Sequence, residues 1–129
     1  MPGWEIIGKD EKNALIQLIN EGGCLFAHGF SNLRKKYHVR EFEKELSKKF
    51  KSKYVLAVSS GTSATKIALK ALGVKRGDEI ITQSFNFVAT IEAILEVGAK
   101  PIICNINETL NMCPLDLKKK ITKKTKVIL

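Results

Sequence analysis

Two short segments of the chain hold residue types that do chemistry. The first is Ser59-Ser60-Gly61-Thr62-Ser63. A helix that starts here leaves backbone N–H groups without partners, and such groups form a site for an anion, above all a phosphate. Gly61 lets the anion approach the backbone, and the hydroxyls of Thr62 and Ser63 add donors. The segment is neither the dinucleotide GxGxxG fingerprint nor the GxxxxGKS/T loop. The plainer reading is an ordinary helix N-cap by Ser60 or Thr62, and composition leaves both open. The second segment is Gln83-Ser84-Phe85-Asn86-Phe87. An aromatic side chain there can stack on a planar ring, or it can belong to the core. Residue type does not choose between Phe85 and Phe87.

Both segments take their meaning from the elements that must position them. Tyr54 to Val58 is a continuous apolar run and reads as a strand covered on both faces. Residues 63–72 are rich in Ala, Leu and Lys and read as a helix that ends at Gly73. A turn at 75–78 leads into a strand at 79–82. A helix over 87–97 ends at Gly98, and a strand follows at 101–104. Residues 114–121 read as a short helix with Pro near its first position, and 126–129 as another strand. Strands alternating with helices build a parallel sheet with helices on its faces. Ligands of such sheets sit at the carboxyl ends of the strands, where both segments fall. Upstream, residues 9–21 carry Leu15, Leu18 and Ile19 at helical spacing and stop at Gly22 and Gly23. Residues 24–37 read as a loop. Val39, Phe42, Leu46 and Phe50 mark a second amphipathic helix, whose aromatic positions are expected as core contacts.

Composition narrows the class. A chain of 129 residues allows one domain at most, and 44% hydrophobic with 27% charged positions excludes collagen, low-complexity disorder and coiled coil. The net charge of +9 is uneven. Lys118, Lys119, Lys120, Lys123, Lys124 and Lys126 cluster near the end, with no acid after Asp116. No aromatic residue interleaves with them, so they read as a solvated surface and not as a nucleic-acid interface. No run approaches the roughly 18 apolar residues of a membrane span. The start shows no basic region followed by an apolar run. The expectation is therefore a cytoplasmic protein without membrane or nucleic-acid partners. Cys24, Cys104 and Cys113 make neither a disulfide framework nor a metal pair, and Cys24 with His28 supplies too few ligands for a structural zinc. They are expected to be buried or partly buried thiols in a reducing cytoplasm. The chain stops within an apolar strand, and is expected to be the front part of something longer.

The motifs in order carry a resemblance. Tyr54-Val55-Leu56-Ala57-Val58-Ser59-Ser60-Gly61-Thr62-Ser63-Ala64 is similar to the "avavsSGTaA" segment of the DegT/DnrJ/EryC1/StrS family of sugar aminotransferases. Ala71-Leu72-Gly73-Val74, Gly77-Asp78-Glu79-Ile80-Ile81 and Ser84-Phe85-Asn86-Phe87-Val88-Ala89-Thr90 resemble its "alGv..GDEVi.psfTFvAt" run. Gly98-Ala99-Lys100-Pro101 is similar to "GA.Pv", and Val39-Arg40-Glu41-Phe42-Glu43 to "v.eFE". The resemblance covers nearly the whole chain, from about residue 9 to residue 129.

The resemblance implies an α/β fold: the three-layer, mostly parallel sheet of the aspartate-aminotransferase-like large domain (PLP fold type I), incomplete in this chain. Residues 1–129 would be the N-terminal part of that domain, with 1–50 a helical leading segment and 54–129 alternating β and α. It implies pyridoxal 5′-phosphate (PLP) as cofactor. The reaction would move an amino group from an amino acid such as glutamate to a nucleotide-linked keto sugar, in a homodimer. By resemblance, Gly61, Thr62 and Ser63 match the turn that holds the cofactor phosphate, and Phe87 matches the aromatic that stacks on the pyridine ring. The lysine and the acid that PLP chemistry requires would lie beyond residue 129, so no residue of this chain takes a catalytic role. Gln83 stands where the family often has Pro, Ser63 where Ala is common, and Asn105 and Asn107 where it usually has Asp. The two Asn residues remove negative charge. The alternative is a truncated or degenerate, non-catalytic fragment of the family; a small basic nucleic-acid-binding module is a remote third.

Overall fold

The computed structural model describes residues 3–21 and 36–129. Cys24, His28 and residues 22–35 of the expected loop lie outside them. Met1–Ala57 and Val58–Leu129 form two compact units.

The first unit carries α1 (Lys9–Asn20) and α2 (His38–Phe50). Helix α1 starts where Glu11 turns its carboxylate back to the Gly8 N–H at 2.7 Å. That bond, and then the N–H of Glu11 itself, hold the Glu11 carboxyl below the usual range. Helix α2 ends with Lys51 in the left-handed region (φ 51°) and the Ser52 N–H on the Ser47 carbonyl at 3.0 Å, which satisfies an orphan carbonyl of the last turn. Two expectations fail in this unit. Phe42 and Phe50 are not core contacts: they are 55% and 69% exposed, and neither helix buries a residue. No strand forms at 54–58 either. A strand needs a backbone ladder. Here the Ala57 N–H goes instead to the Glu43 carboxylate of α2 at 2.8 Å, and Tyr54 stays exposed under Lys53 Nζ.

The second unit is α/β, as expected. It begins with α3 (Gly61–Ala71), and then alternates β1 (Glu79–Gln83), α4 (Val88–Glu96), β2 (Lys100–Cys104), α5 (Pro114–Lys120) and β3 (Thr125–Ile128). Ser60 caps α3 by accepting the Ser63 N–H at 3.1 Å, so the helix starts two residues before the Ala-rich pattern implies. The sheet is parallel, in the order β2-β1-β3. Glu79 stands opposite Lys100 and Gln83 opposite Cys104. The central strand β1 has a neighbour on each side, and Ile80, Ile81 and Thr82 are buried along it. The core joins Ile80 to Leu69 of α3, Ile94 of α4, and Val74, Val97 and Ala99 of the turns, with Val127 packed against it.

Two turns fix the direction of the helices. Gly73 (φ 73°) ends α3 and Gly98 (φ 81°) ends α4, while Gly77 (φ 91°) sits in the turn into β1; all need the left-handed region that glycine enters freely. The Gly77 N–H donates to the Gly98 carbonyl at 3.3 Å, and the Lys100 N–H to the Asp78 carbonyl at 2.8 Å. The turns that follow both helices are thus joined at the amino edge of the sheet. Since α3 and α4 pack on each other, their amino ends point to the carboxyl edge. Among the described residues, no helix is long and apolar enough to cross a membrane.

Candidate functional site

The two segments singled out in the sequence reach the same edge of the sheet. Gly61, Thr62 and Ser63 form the first turn of α3, and Phe87 is the residue at which α4 begins. Gly61 and Thr62 present N–H groups that the first turn cannot use. Ser60 does cap the helix, so the plainer reading of this turn is also correct. The cap takes only the Ser63 N–H, while the Ser60 and Ser63 hydroxyls lie 3.0 Å apart. A Cβ built on Gly61 would meet nothing within 4 Å, so the space against its backbone is open. An open helix start with two spare N–H donors and flanking hydroxyls fits a phosphate.

Phe85 and Phe87 are 61% and 73% exposed, which excludes the core reading for both. Together with Gln83 and Asn86 they form one wall of an open cleft of about 560 Å³. Thr109, Leu110 and Asn111 form the other wall. Gly61, Thr62 and Ser63 do not line this cleft; they share its edge of the sheet. Flat aromatic faces flanked by amides and a hydroxyl fit a planar, polar heteroaromatic ring. No side chain of the lining carries a charge or titrates near neutrality.

The wall made by 109–111 escaped the reading of the sequence. It is the tip of a small antiparallel hairpin after β2, where Ile106 bridges Met112. Asn107 holds it. Its Oδ1 accepts the Thr109 N–H at 3.1 Å and the Thr109 hydroxyl at 2.7 Å, and its carbonyl accepts the Leu110 N–H at 3.0 Å. Leu110 sits at φ 61°, a conformation that a leucine enters only under constraint. The signal available was the polar Asn107-Glu108-Thr109 stretch between a strand and Pro114, typical of a tight turn. The loss of charge at Asn107 does not remove the acceptor oxygen, since an amide carbonyl does the work of a carboxylate here. At Asn105 the structural bond is made by the backbone: its N–H donates to Asp116.

Behind the hairpin, Cys104 is buried and Cys113 partly so, as expected of them. Burial, and then the Asp116 carboxylate beside it, push the Cys104 thiol up. It is a neutral packing residue. The lysines from Lys118 to Lys126 lie on α5, the following turn and β3; all but Lys120 are exposed.

With this geometry in hand, the likeness to known proteins is specific. Residues 12–129 match the family model described as DegT/DnrJ/EryC1/StrS aminotransferase family. The chain is 39% identical over 102 residues to GDP-perosamine synthase of Vibrio cholerae, covering 78% of this chain and 28% of that protein. It is 36% identical over 124 residues to the spore coat polysaccharide biosynthesis protein SpsC of Bacillus subtilis, covering 95% of this chain and 30% of that one. Among solved structures it resembles NtdA of Bacillus subtilis with bound pyridoxamine phosphate (PMP), with a TM-score of 0.76 and 36% identity over 95% of this chain and 27% of that one. The chain thus spans less than a third of the length of these relatives. The fold inferred from the motifs is the fold observed, and PMP is the aminated form of the cofactor the sequence called for. Match and fold together cover both the phosphate-type turn and the aromatic cleft, and the chain belongs to the DegT/DnrJ/EryC1/StrS aminotransferase family.

Proposed function

We propose that this chain is the cofactor-holding, N-terminal portion of a PLP-dependent aminotransferase. The enzyme moves an amino group from an amino acid such as glutamate to a nucleotide-linked keto sugar, in amino-sugar or surface-polysaccharide biosynthesis. The observation that carries the reading is the shared edge: the open first turn of α3 and the exposed ring of Phe87 stand at the same end of one parallel sheet. Gly61, Thr62 and Ser63 hold the phosphate, and Phe87 supports the ring. PLP, when bound, supplies the electron sink that amino-group transfer requires. The residues of this chain bind and orient it, and Leu110 with the two phenylalanines keeps one side of the ring apolar. Residues 1–129 form the N-terminal part of one large domain, in a homodimer, in the cytoplasm. The names of the relatives support the sugar substrate: one makes GDP-perosamine and another serves a coat polysaccharide.

The test uses the protein at the length of its relatives. It is supplied with PLP, glutamate and a panel of nucleotide-linked keto sugars, and 2-oxoglutarate is measured. Formation that depends on the sugar supports the reading. Glutamate turnover that ignores every keto sugar sinks the substrate class. A second reading, a non-catalytic fragment that binds the cofactor and no more, is favoured by the absence of any titratable side chain in the cleft lining. PLP binding without any 2-oxoglutarate would establish it.

A further inference from the structure

The exposed ring of Phe87 raises a physical question. A stacking platform works only if its orientation is set before the ligand arrives, since ordering it on binding costs affinity. Phe87 is 73% exposed, so little packing holds it. What the structure fixes is the backbone from which the ring projects.

The neighbouring Asn86 supplies that constraint with three bonds. Its Oδ1 accepts the Phe87 N–H at 2.8 Å and the Thr90 hydroxyl at 3.2 Å. Its Nδ2 donates to the Thr82 hydroxyl at 3.2 Å. The orientation of the amide follows from the bonds, because a backbone N–H only donates and must face the oxygen. Thr82 is fully buried on the central strand β1. Thr90 is in the first turn of α4. One amide therefore ties the rigid strand, the helix start and the ring-bearing residue together. Phenylalanine has no side-chain oxygen to cap α4, and no side chain caps it at that position. The acceptor comes from the residue before it. An amide offers a donor and an acceptor on separate atoms of one short side chain. An aspartate lacks the donor, and a serine has a single oxygen for both directions.

We infer that Asn86 is the positioning residue of the site: the amide that braces the backbone of Phe87 between Thr82 and Thr90, so that the ring projects from a fixed point towards the planar heteroaromatic part of the ligand. The inference rests on the proposed cofactor reading and adds a residue to it. It separates two tasks. The phosphate turn at Gly61–Ser63 gives affinity for the anion, and the Thr82–Asn86–Phe87 brace gives affinity for the ring.

The experiment measures binding of PMP, which has no aldehyde to react with surface lysines, to the protein at the length of its relatives by the fluorescence of the ligand. Inorganic phosphate is the displacing anion. Asn86→Ala is expected to weaken PMP on the order of threefold to tenfold while leaving the affinity for inorganic phosphate unchanged. Asn86→Ser, which keeps one oxygen, recovers part of the loss. Thr82→Val, which never touches the cleft, weakens PMP in the same direction and to a smaller extent. Phe87→Ala is the reference. PMP affinity unchanged in Asn86→Ala but reduced in Phe87→Ala overturns the brace and leaves the cofactor reading standing. Equal loss of PMP and phosphate binding in Asn86→Ala means that Asn86 merely supports the fold, which also overturns the inference. No effect of Phe87→Ala, or no PMP binding by the unaltered full-length protein, removes the cofactor assignment and the brace with it.

Discussion

The Asp116 carboxylate accepts the backbone N–H of Asn105 at 2.7 Å, which ties the first turn of α5 to the end of β2. The same oxygen lies 3.8 Å from Lys120 Nζ. The Asn105 N–H in the first place, and the Lys120 charge with it, hold the Asp116 carboxyl below the usual range against the effect of its partial burial. A depressed folded-state value stabilises the fold above the unfolded value and is lost as pH falls through the folded one. The thermal midpoint of the chain is therefore expected to drop as pH falls below about 4. In Asp116→Ala that acid-dependent part is smaller, and the hairpin at 105–113 loosens. A pH series of melting curves for both proteins checks this; identical acid slopes would remove Asp116 from the account.

Phe87→Ala is expected to weaken PLP or PMP binding without abolishing it, because the proposed phosphate turn at Gly61–Ser63 is separate. Loss of the stack costs on the order of 1 kcal/mol beyond the area lost. Phe85→Ala, on the same cleft wall, should cost less. Equilibrium titration of the two variants decides. A larger loss at Phe85 would transfer the ring platform to that residue.

Gly61→Asp separates fold from function by sign. Gly61 does not lie at positive φ, and a Cβ there meets nothing within 4 Å, so a side chain fits. A carboxylate in the first turn of α3 interacts favourably with the helix dipole, by about 0.3–1 kcal/mol. It also places a negative charge where the ligand's phosphate would bind. The variant should melt slightly higher and bind PMP and inorganic phosphate much more weakly. Retained phosphate binding would move the anion site away from this turn.

Ile94→Ala is expected to destabilise the α/β unit by about 2–5 kcal/mol. Its side chain is fully buried in the core with Leu69 and Ile80. Ile103→Ala, 43% exposed on the outer strand β2, should cost far less. Chemical denaturation of the pair measures the difference.

The 129-residue chain by itself is expected to show no transaminase turnover with PLP and glutamate. The cleft is lined by amides, a hydroxyl and apolar side chains, with no lysine and no acid to move a proton. Coupled detection of 2-oxoglutarate should read the free-PLP background. Turnover above it would require a base that the lining does not contain.

Much of this was legible in the chain itself. The spacing of small residues, the glycine stops and the apolar runs at 79–83 and 100–104 set the alternation of strands and helices, because local propensity and period act within a few residues. The order of motifs specified the family and the cofactor class, and singled out the two segments of the candidate site. Tertiary structure decided the rest. The run at 54–58 has all the composition of a strand, yet a strand is a relation between backbones. Among the described residues its amide meets Glu43 rather than a neighbouring ladder. The amphipathic pattern of α2 likewise names a face, but not what covers it, and Phe42 and Phe50 remain exposed. Residue type could not reveal the opposite wall at Thr109–Asn111. A cleft depends on distances between segments more than 20 residues apart in sequence. The bracing amide of Asn86 joins residues only four apart on either side, Thr82 and Thr90. It became visible only when the turn from β1 to α4 placed all three hydrogen-bonding groups around it, because hydrogen bonds are directional and sequence carries no angles.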